Sequence, residues 1–272
     1  MARKIKVLCI GAHPDDCDIR AGGLTAKLTR AGHEVMFVSA TDGSAGHHEM
    51  DRDGLRARRR GEADAVEKLL GIRYLTLANL DGDLEPTLKN REEMIRIIRS
   101  FSPDVILTHR PNDYHPDHRS TGVLVQDSSF TLLVPLIVPD TPAMREAPCI
   151  MFMYDRFSRP YPFTPDVAVA TDEVIDTKME ALLCHESQLL EWLPWVEHKY
   201  DILNAPSKEE ARRLAADYRR RDDARVADEC RALLKKEYGD ERGGAVQYAE
   251  AFEVSEYGST LSDEVREILL SL

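Results

Sequence analysis

The sequence has no apolar run approaching the ~20 residues a helix needs to cross a bilayer, so no membrane span is expected. It has no Cys-x-x-Cys pair. Cys9, Cys17, Cys149, Cys184 and Cys230 are scattered and odd in number, which argues against a disulfide framework and fits a reducing cytoplasm. Positive charge is not in excess either: 36 basic against 48 acidic residues leave a net charge of −12. General nucleic-acid binding needs clustered positive charge and is not expected. The basic clusters Arg56–Arg60 and Arg219–Arg221 sit in helix-like, acid-flanked segments and read as solvated faces. No Gly-x-Gly-x-x-Gly follows the first strand-like run, which counts against a non-catalytic nucleotide-binding domain. That reading survives only if Gly22-Gly23 opens a helix and offers its amides to a phosphate. Internal repeats and low-complexity segments are absent. Met1 to Ile10 starts basic, but its short apolar stretch reads as a buried strand rather than a secretion signal.

What is present is a regular alternation. The 272 residues, 43% hydrophobic, suffice for one large domain or a domain with an appendage. Lys4–Ile10 is almost continuously apolar, as a parallel strand buried on both faces is. A helix opened by Gly22-Gly23 and closed by Gly32 follows, then a strand over Glu34–Ala40, a helix over Leu55–Leu70 stopped by Gly71, and a short strand over Tyr74–Leu77. Asn90 is expected to cap a helix ending before Pro103, ahead of a strand over Val105–Thr108 and a helix begun by Asp117. This βαβαβαβα pattern predicts an α/β fold: a doubly wound, mostly parallel, Rossmann-like sheet with helices on both faces. Ile150–Tyr154 and Val167–Ala170 read as further strands, and Val174–Leu190 as a helix. A long charged helix runs from Ser207 to about Glu237, Val246–Val254 is a candidate strand, and Ser262 caps a last helix. The expected division is an α/β domain over residues 1–190 and a helical C-terminal extension over 191–272 packed on it.

Two short segments carry the chemistry: Ala12-His13-Pro14-Asp15-Asp16 and His115-Pro116-Asp117-His118. They follow the first and fourth strands, which are neighbours in the commonest doubly wound order. Ligands bind in the crevice between the carboxyl ends of such strands. Two imidazoles and a carboxylate are a common way to hold a divalent metal with one position open. His13 and Asp16, on a tight turn fixed by Pro14, can chelate one ion, and His118 completes the set. Asp15 then faces the open position as general base. His115 can donate to an oxyanion if protonated, and Asp117 can hold an imidazole in its tautomer. The bland alternatives are a plain His-Pro-Asp turn, Asp117 as a helix cap only, and Cys17 as a small packing residue rather than a ligand or nucleophile.

These segments, with Gly22-Gly23 and Lys178-x-x-Ala181-Leu182-x-x-His185-x-Ser187-Gln188, closely resemble the PIG-L/LmbE-like zinc deacetylases. The resemblance covers about the first 190 residues. It implies hydrolysis of an N-acetyl group from an amino sugar, with Zn²⁺ the usual metal and Fe²⁺ or another divalent ion an alternative. By that resemblance His13, Asp16 and His118 are the metal ligands, Asp15 the base, and His115 the oxyanion-stabilising residue supported by Asp117. Arg59 of Arg59-Arg60-Gly61-Glu62 is a candidate for the sugar hydroxyls, with a structural salt bridge as the alternative. His185 is a candidate pocket residue, with capping or packing as the alternative. Tyr114 is a third candidate for the substrate, preceded by Arg110, Asn112 and Asp113. The chain also departs from the pattern. After Asp-Asp the family usually has a glycine before the Gly-Gly pair, and here Arg20 lies in that region, while His47-His48 occupy the loop after the second strand, where they can meet substrate, a second metal or solvent. The resemblance leaves a larger amide, as in mycothiol-conjugate amidases, as the competing substrate. It also leaves a homo-oligomer open.

Overall fold

The computed structural model describes residues 3–272. Five parallel strands form the body of one sheet: β1 (Lys6–Gly11), β2 (Glu34–Ser39), β3 (Arg73–Thr76), β4 (Val105–Thr108) and β5 (Cys149–Met153). β6 (Val167–Ala170) and β7 (Ala249–Gly258) complete it, with β7 antiparallel to both β5 and β6. The order is β3-β2-β1-β4-β5-β7-β6. β1 and β4 are therefore neighbours, and Val7 pairs with Val35 on one side and Val105 on the other.

β1 is apolar because both faces are covered. Side chains alternate across a strand. Val7 and Cys9 join one core with Leu24 and Leu28 of α1 (Asp16–Arg30) and Ala63 and Val66 of α2 (Arg52–Leu70). Leu8 and Ile10 join the other with Met94 and Ile98 of α3 (Leu88–Phe101) and Val125 of α4 (Pro116–Ser128). Each fully buried aliphatic side chain contributes ~1.5–3 kcal/mol. α2 starts where Asp51 accepts from the Gly54 amide and stops at Gly71, whose φ of 66° is left-handed.

Several boundaries differ from the sequence reading. Gly22 and Gly23 lie inside α1. They permit close packing there: a Cβ on Gly23 would stand 2.7 Å from Thr171 Cγ2. The Gly23 and Leu24 amides donate to the Glu250 carboxylate at 2.8 and 2.7 Å, so this pair is not a phosphate site. Thr87, not Asn90, caps α3, accepting from the Asn90 amide. The helix expected over Val174–Leu190 breaks into α5 (Ile175–Leu182) and a π-helical stretch, Ser187–Trp192. The long charged helix divides into α8 (Lys208–Glu229) and α9 (Arg231–Tyr238), after the short turns α6 (Leu193–Val196) and α7 (Tyr200–Leu203).

The segment after residue 190 is not a helical appendage alone. It supplies β7, which lies inside the sheet between β5 and β6. Phe252 of β7 packs in the first core, while Ala249 and Ala251 pack with Val226 and Leu234 of α8 and α9. A buried charge cluster ties the two halves: Lys178 Nζ of α5 lies 2.7 Å from Asp223 Oδ2 of α8 and 2.8 Å from Glu250 Oε1 of β7.

Candidate metal centre

The crevice at the carboxyl ends of β1 and β4 holds both motifs. Residues after β1 turn sharply, and Asp16 becomes the first residue of α1. Its Oδ2 accepts from the amides of Ala12 and His13 at 2.9 and 2.8 Å, which closes the turn. Across the crevice, His115 caps α4 through Nδ1, which accepts from the Asp117 amide at 3.2 Å. One turn into α4, His118 faces the first motif.

Three donor atoms meet there. His13 Nδ1 and Asp16 Oδ2 are 3.6 Å apart, His118 Nε2 and Asp16 Oδ2 3.5 Å, and His118 Nε2 and His13 Nδ1 3.3 Å. A tetrahedral ion with ligands at ~2.0–2.2 Å spaces them ~3.3–3.6 Å apart. The residues therefore fit a small divalent metal with a fourth position open. The far nitrogens fit it too. His13 Nε2 lies 3.2 Å from Asp117 Oδ2 and 3.3 Å from Asp81 Oδ1, and His118 Nδ1 lies 3.1 Å from Asp113 Oδ1. Carboxylates behind both imidazoles fix tautomer and ring orientation, as metal-bound histidines require. Two histidines overlap this donor set: His115 groups with His13 and His118, and His109 with Asp16 and His118.

The electrostatics divide the acids. Burial alone would raise the Asp16 carboxyl, but His118, His109 and His13 around it hold it well below the usual range, so it stays ionised. Burial raises the Asp15 carboxyl, with Arg59 opposing it. Burial lowers the His115 imidazole, helped by His13 and His118, so it is neutral near pH 7. Since His115 Nδ1 accepts from an amide, its proton sits on Nε2. A neutral His115 ring with Nδ1 accepting that amide would offer its Nε2–H to the cavity without being protonated.

Residues 8–129 match the PIG-L family, described as GlcNAc-PI de-N-acetylase. The diacetylchitobiose deacetylase of Thermococcus kodakarensis is 33% identical over 199 residues, covering 70% of this chain and 73% of that protein. The chain belongs to the PIG-L family. The mycothiol S-conjugate amidase of Streptomyces coelicolor is 30% identical over 147 residues, covering 44% of this chain and 50% of that one. Among solved structures, the N,N'-diacetylchitobiose deacetylase of Pyrococcus horikoshii aligns with a TM-score of 0.67 at 26% identity, covering 92% of this chain and 83% of that one. GalB, the 4-carboxy-2-hydroxymuconate hydratase of Pseudomonas putida, aligns with a TM-score of 0.73 at 20% identity, covering 96% and 99%. That second likeness is one of fold alone. A hydratase and a deacetylase on one fold place the burden of function on the site.

In this PIG-L chain the motif residues come together, but not every expected contact holds. His13, Asp15, Asp16, His115 and His118 line one cavity of about 1100 Å³. Asp117 supports His13 rather than the His115 ring, because only its backbone amide meets His115. Arg59 makes the salt bridge named as its alternative role. It lines the cavity but is buried, and its two terminal nitrogens meet Asp15 Oδ2 at 3.1 Å and the carbonyls of Pro14 and Gly43, while its Nε has no partner. His185 does not line the cavity: it is fully buried, its Nε2 3.2 Å from Asp18 Oδ2. Tyr114 is 71% exposed and lines the cavity edge-on to His115 and His118. His47 pairs with Glu191 at 2.9 Å and His48 stacks on Trp195, so neither joins the metal donors. Cys17 is buried and its thiol pushed well up by burial, which leaves it a packing residue.

The Arg-Arg-Gly-Glu and His-x-Ser-Gln segments prove to be partners. Glu62 accepts from the Ser187 amide at 2.7 Å and from its hydroxyl at 2.6 Å, and Gln188 donates to Gly46 O. Their shared task is to hold the loop after β2 over the crevice. Sequence reasoning missed His109, Asp81 and the Tyr74–Asp18 pair. Only His109 left a signal, as a polar residue directly after the apolar run of β4. Asp15 itself has a φ of 138°, unusual for a non-glycine residue. Its amide donates to Tyr74 Oη at 3.1 Å, and that hydroxyl donates to Asp18 Oδ2 at 3.0 Å.

Proposed function

We propose that this chain is a zinc-dependent hydrolase that removes an N-acetyl group from an amino sugar or amino-sugar conjugate. The observation that carries this reading is the 3.3–3.6 Å triangle of His13, Asp16 and His118, opening on a cavity that Asp15 and His115 also line. The likeness to diacetylchitobiose deacetylases supports the substrate class. When bound, a divalent ion supplies Lewis acidity, acidifying a water toward pKa ~7 and polarising the acyl carbonyl. The five free cysteines, four of them buried, support a reducing, cytoplasmic setting. Whether copies of the chain associate is left to measurement.

The chain's own residues then divide the work. Arg59 occupies Asp15 Oδ2, leaving Oδ1 to take the proton from the attacking water. As the water oxygen bonds to the acyl carbon, the carbonyl oxygen becomes negative, and His115 Nε2–H is the donor at hand. Asp15 then returns its proton to the sugar nitrogen as the C–N bond breaks, giving acetate and a free amine. Asp81, Asp117 and Asp113 hold His13 and His118 in place throughout.

The test is acetate release from N-acetylglucosamine and diacetylchitobiose by metal-stripped protein, with and without added Zn²⁺. Zinc-dependent acetate from either, lost in Asp15→Ala while zinc stays bound, is the expected result. Unchanged turnover in Asp15→Ala would remove the assigned base. No acetate from a zinc-loaded protein would remove the N-acetyl reading of these sugars.

A further inference from the structure

Behind the base lies a buried ionisable pair outside the cavity. Asp18 and His185 are both fully buried, and Asp18 Oδ2 stands 3.2 Å from His185 Nε2. Burial opposes charge on the imidazole, but Asp18, with Asp15 beyond it, raises its pKa. The contact is an ion pair rather than an aligned hydrogen bond, and Asp18 Oδ1 and His185 Nδ1 meet no partner among the described residues. A buried pair of this kind is often no more stable than apolar side chains of the same volume. Stability alone therefore gives no reason for it, and its neighbours do.

Asp18 Oδ2 accepts from Tyr74 Oη at 3.0 Å, and the same hydroxyl accepts from the Asp15 amide at 3.1 Å. A hydroxyl carries one proton. With that proton committed to Asp18, its lone pairs are left to face Asp15. The Asp15 carbonyl accepts from the Ile19 amide at 2.9 Å, and Arg59 holds the carboxylate at 3.1 Å. A non-glycine residue at φ 138° is thus gripped at three points, one of which is Tyr74. His185 is itself fixed, just beyond α5. Its amide donates to Leu182 O at 3.0 Å, and its carbonyl accepts from the Gln188 and Leu189 amides at 3.0 and 2.8 Å. Its ring meets the Tyr74 ring edge to face, 6.3 Å between centroids. The line His185–Asp18–Tyr74–Asp15 therefore joins the end of α5, α1 and β3 to the base, and of its four members only Asp15 lines the cavity.

We infer that His185 and Asp18 are positioning residues for the hydrolysis: through the Tyr74 hydroxyl they fix the backbone of Asp15 and so aim its carboxylate into the cavity. His185 acts by balancing Asp18. Without that counter-charge a buried carboxylate draws other donors to itself, and the Tyr74 proton loses its fixed direction. This rests on the deacetylase reading, in which Asp15 is the base.

The experiment measures acetate release from diacetylchitobiose by the zinc-loaded enzyme, zinc affinity by chelator competition, Tm, and hydrogen exchange at the Asp15 amide. The variants are His185→Gln, Asp18→Asn, the two together, and His185→Gln in a Tyr74→Phe background. Each single variant should lower kcat ~10- to 100-fold, as misplacing a reacting group does, with KM and zinc affinity nearly unchanged. Each should also speed exchange at the Asp15 amide. Asp18→Asn with His185→Gln removes both charges, so it should regain Tm without regaining kcat, whereas a purely structural pair would regain both. In the Tyr74→Phe background the line is already cut, and His185→Gln should lower kcat little further. Wild-type kcat in either single variant, a full additional loss on top of Tyr74→Phe, or a kcat that returns with Tm would overturn the inference. Should His185→Gln fail to fold, Asp18→Asn carries the same comparisons. If the zinc-loaded wild type releases no acetate, the deacetylase reading falls on this sugar, and exchange alone decides the tether: an Asp15 amide as protected in both single variants as in the wild type overturns it.

Discussion

Replacing Tyr74 by Phe removes one oxygen atom and should cost both stability and rate. The Tyr74 hydroxyl is buried, accepts from the Asp15 amide at 3.1 Å and donates to Asp18 Oδ2 at 3.0 Å. Burial, reinforced by the charge of Asp18, pushes its pKa well up, so it remains a donor at neutral pH. Without it a buried amide loses its partner, at about 1–3 kcal/mol, and a buried carboxylate loses a donor, at about 1.5–3 kcal/mol. The two losses share one atom and do not add fully, so about 2–4 kcal/mol is expected. For a chain of this size that lowers Tm by ~5–15 °C. The effect on rate follows from Asp15 itself. A non-glycine residue at φ 138° holds ~1–3 kcal/mol of strain and stays there only if tethered. Loosening it should lower kcat ~10-fold or more, since each 1.4 kcal/mol is a factor of ten. KM and zinc affinity should hardly change, because Tyr74 touches none of His13, Asp16 and His118. Thermal melts, zinc titration and acetate-release kinetics on the same variant make the test. A full loss of Tm with wild-type kcat would refute the tether, and a parallel loss of zinc affinity would show that the whole turn had moved.

Asp15→Asn should bind zinc as the wild type does and release acetate 10²- to 10⁴-fold more slowly, the usual worth of a positioned base. Asp113→Ala frees His118 Nδ1, and zinc affinity measured by chelator competition should fall ~10–100-fold. Gly122→Ala places a Cβ 2.5 Å from His109 O, a backbone atom that cannot swing away, so a loss of more than about 2 kcal/mol is expected in chemical denaturation. Burial, with Glu250 nearby, raises the Asp223 carboxyl to about 6 despite Lys178. A raised folded-state value means this group's stability is complete below its unfolded pKa of ~3.9 and is lost as pH rises through about 6. Wild-type Tm relative to Asp223→Asn should therefore fall between pH 4 and 7, by the equivalent of up to about 3 kcal/mol, while a flat difference would contradict the assignment.

The sequence revealed the sheet and the metal donors because both are written locally. Continuous apolar runs marked β1, β2 and β4, and two loops directly after β1 and β4 carried the ligands. The topology then required those loops to meet. What stayed hidden depends on contacts distant in sequence. Arg59 read as a candidate for sugar because nothing local shows that Pro14, Asp15 and Gly43 surround it. His185 read as a pocket residue although its partner, Asp18, lies 167 positions away on the hidden side of α1. Gly22-Gly23 looked like a helix start because close packing against Thr171 and Glu250 cannot be seen in the glycines themselves. β7 was legible as a strand, but not as one inserted between β5 and β6, since antiparallel insertion leaves no trace in periodicity.

The structure also separates where the reaction is encoded from where its substrate is chosen. Every group assigned to bond cleavage lies between His13 and His118, inside the residues that match the family. The outer cavity wall, by contrast, is built by Tyr154–Phe157 after β5, by Trp192 and Leu193, and by α8, all beyond residue 129. These parts are joined by buried charges rather than by apolar packing alone: Lys178 links α5 to α8 and β7, and Glu250 reaches back to the amides of α1, the helix that begins with the ligand Asp16. A buried charge left without its partner costs ~3–5 kcal/mol, so this tie fixes the position of α8 more strictly than interchangeable aliphatic contacts would. The motifs therefore identify the reaction class, while the segments that close the rest of the cavity come from outside the matched residues.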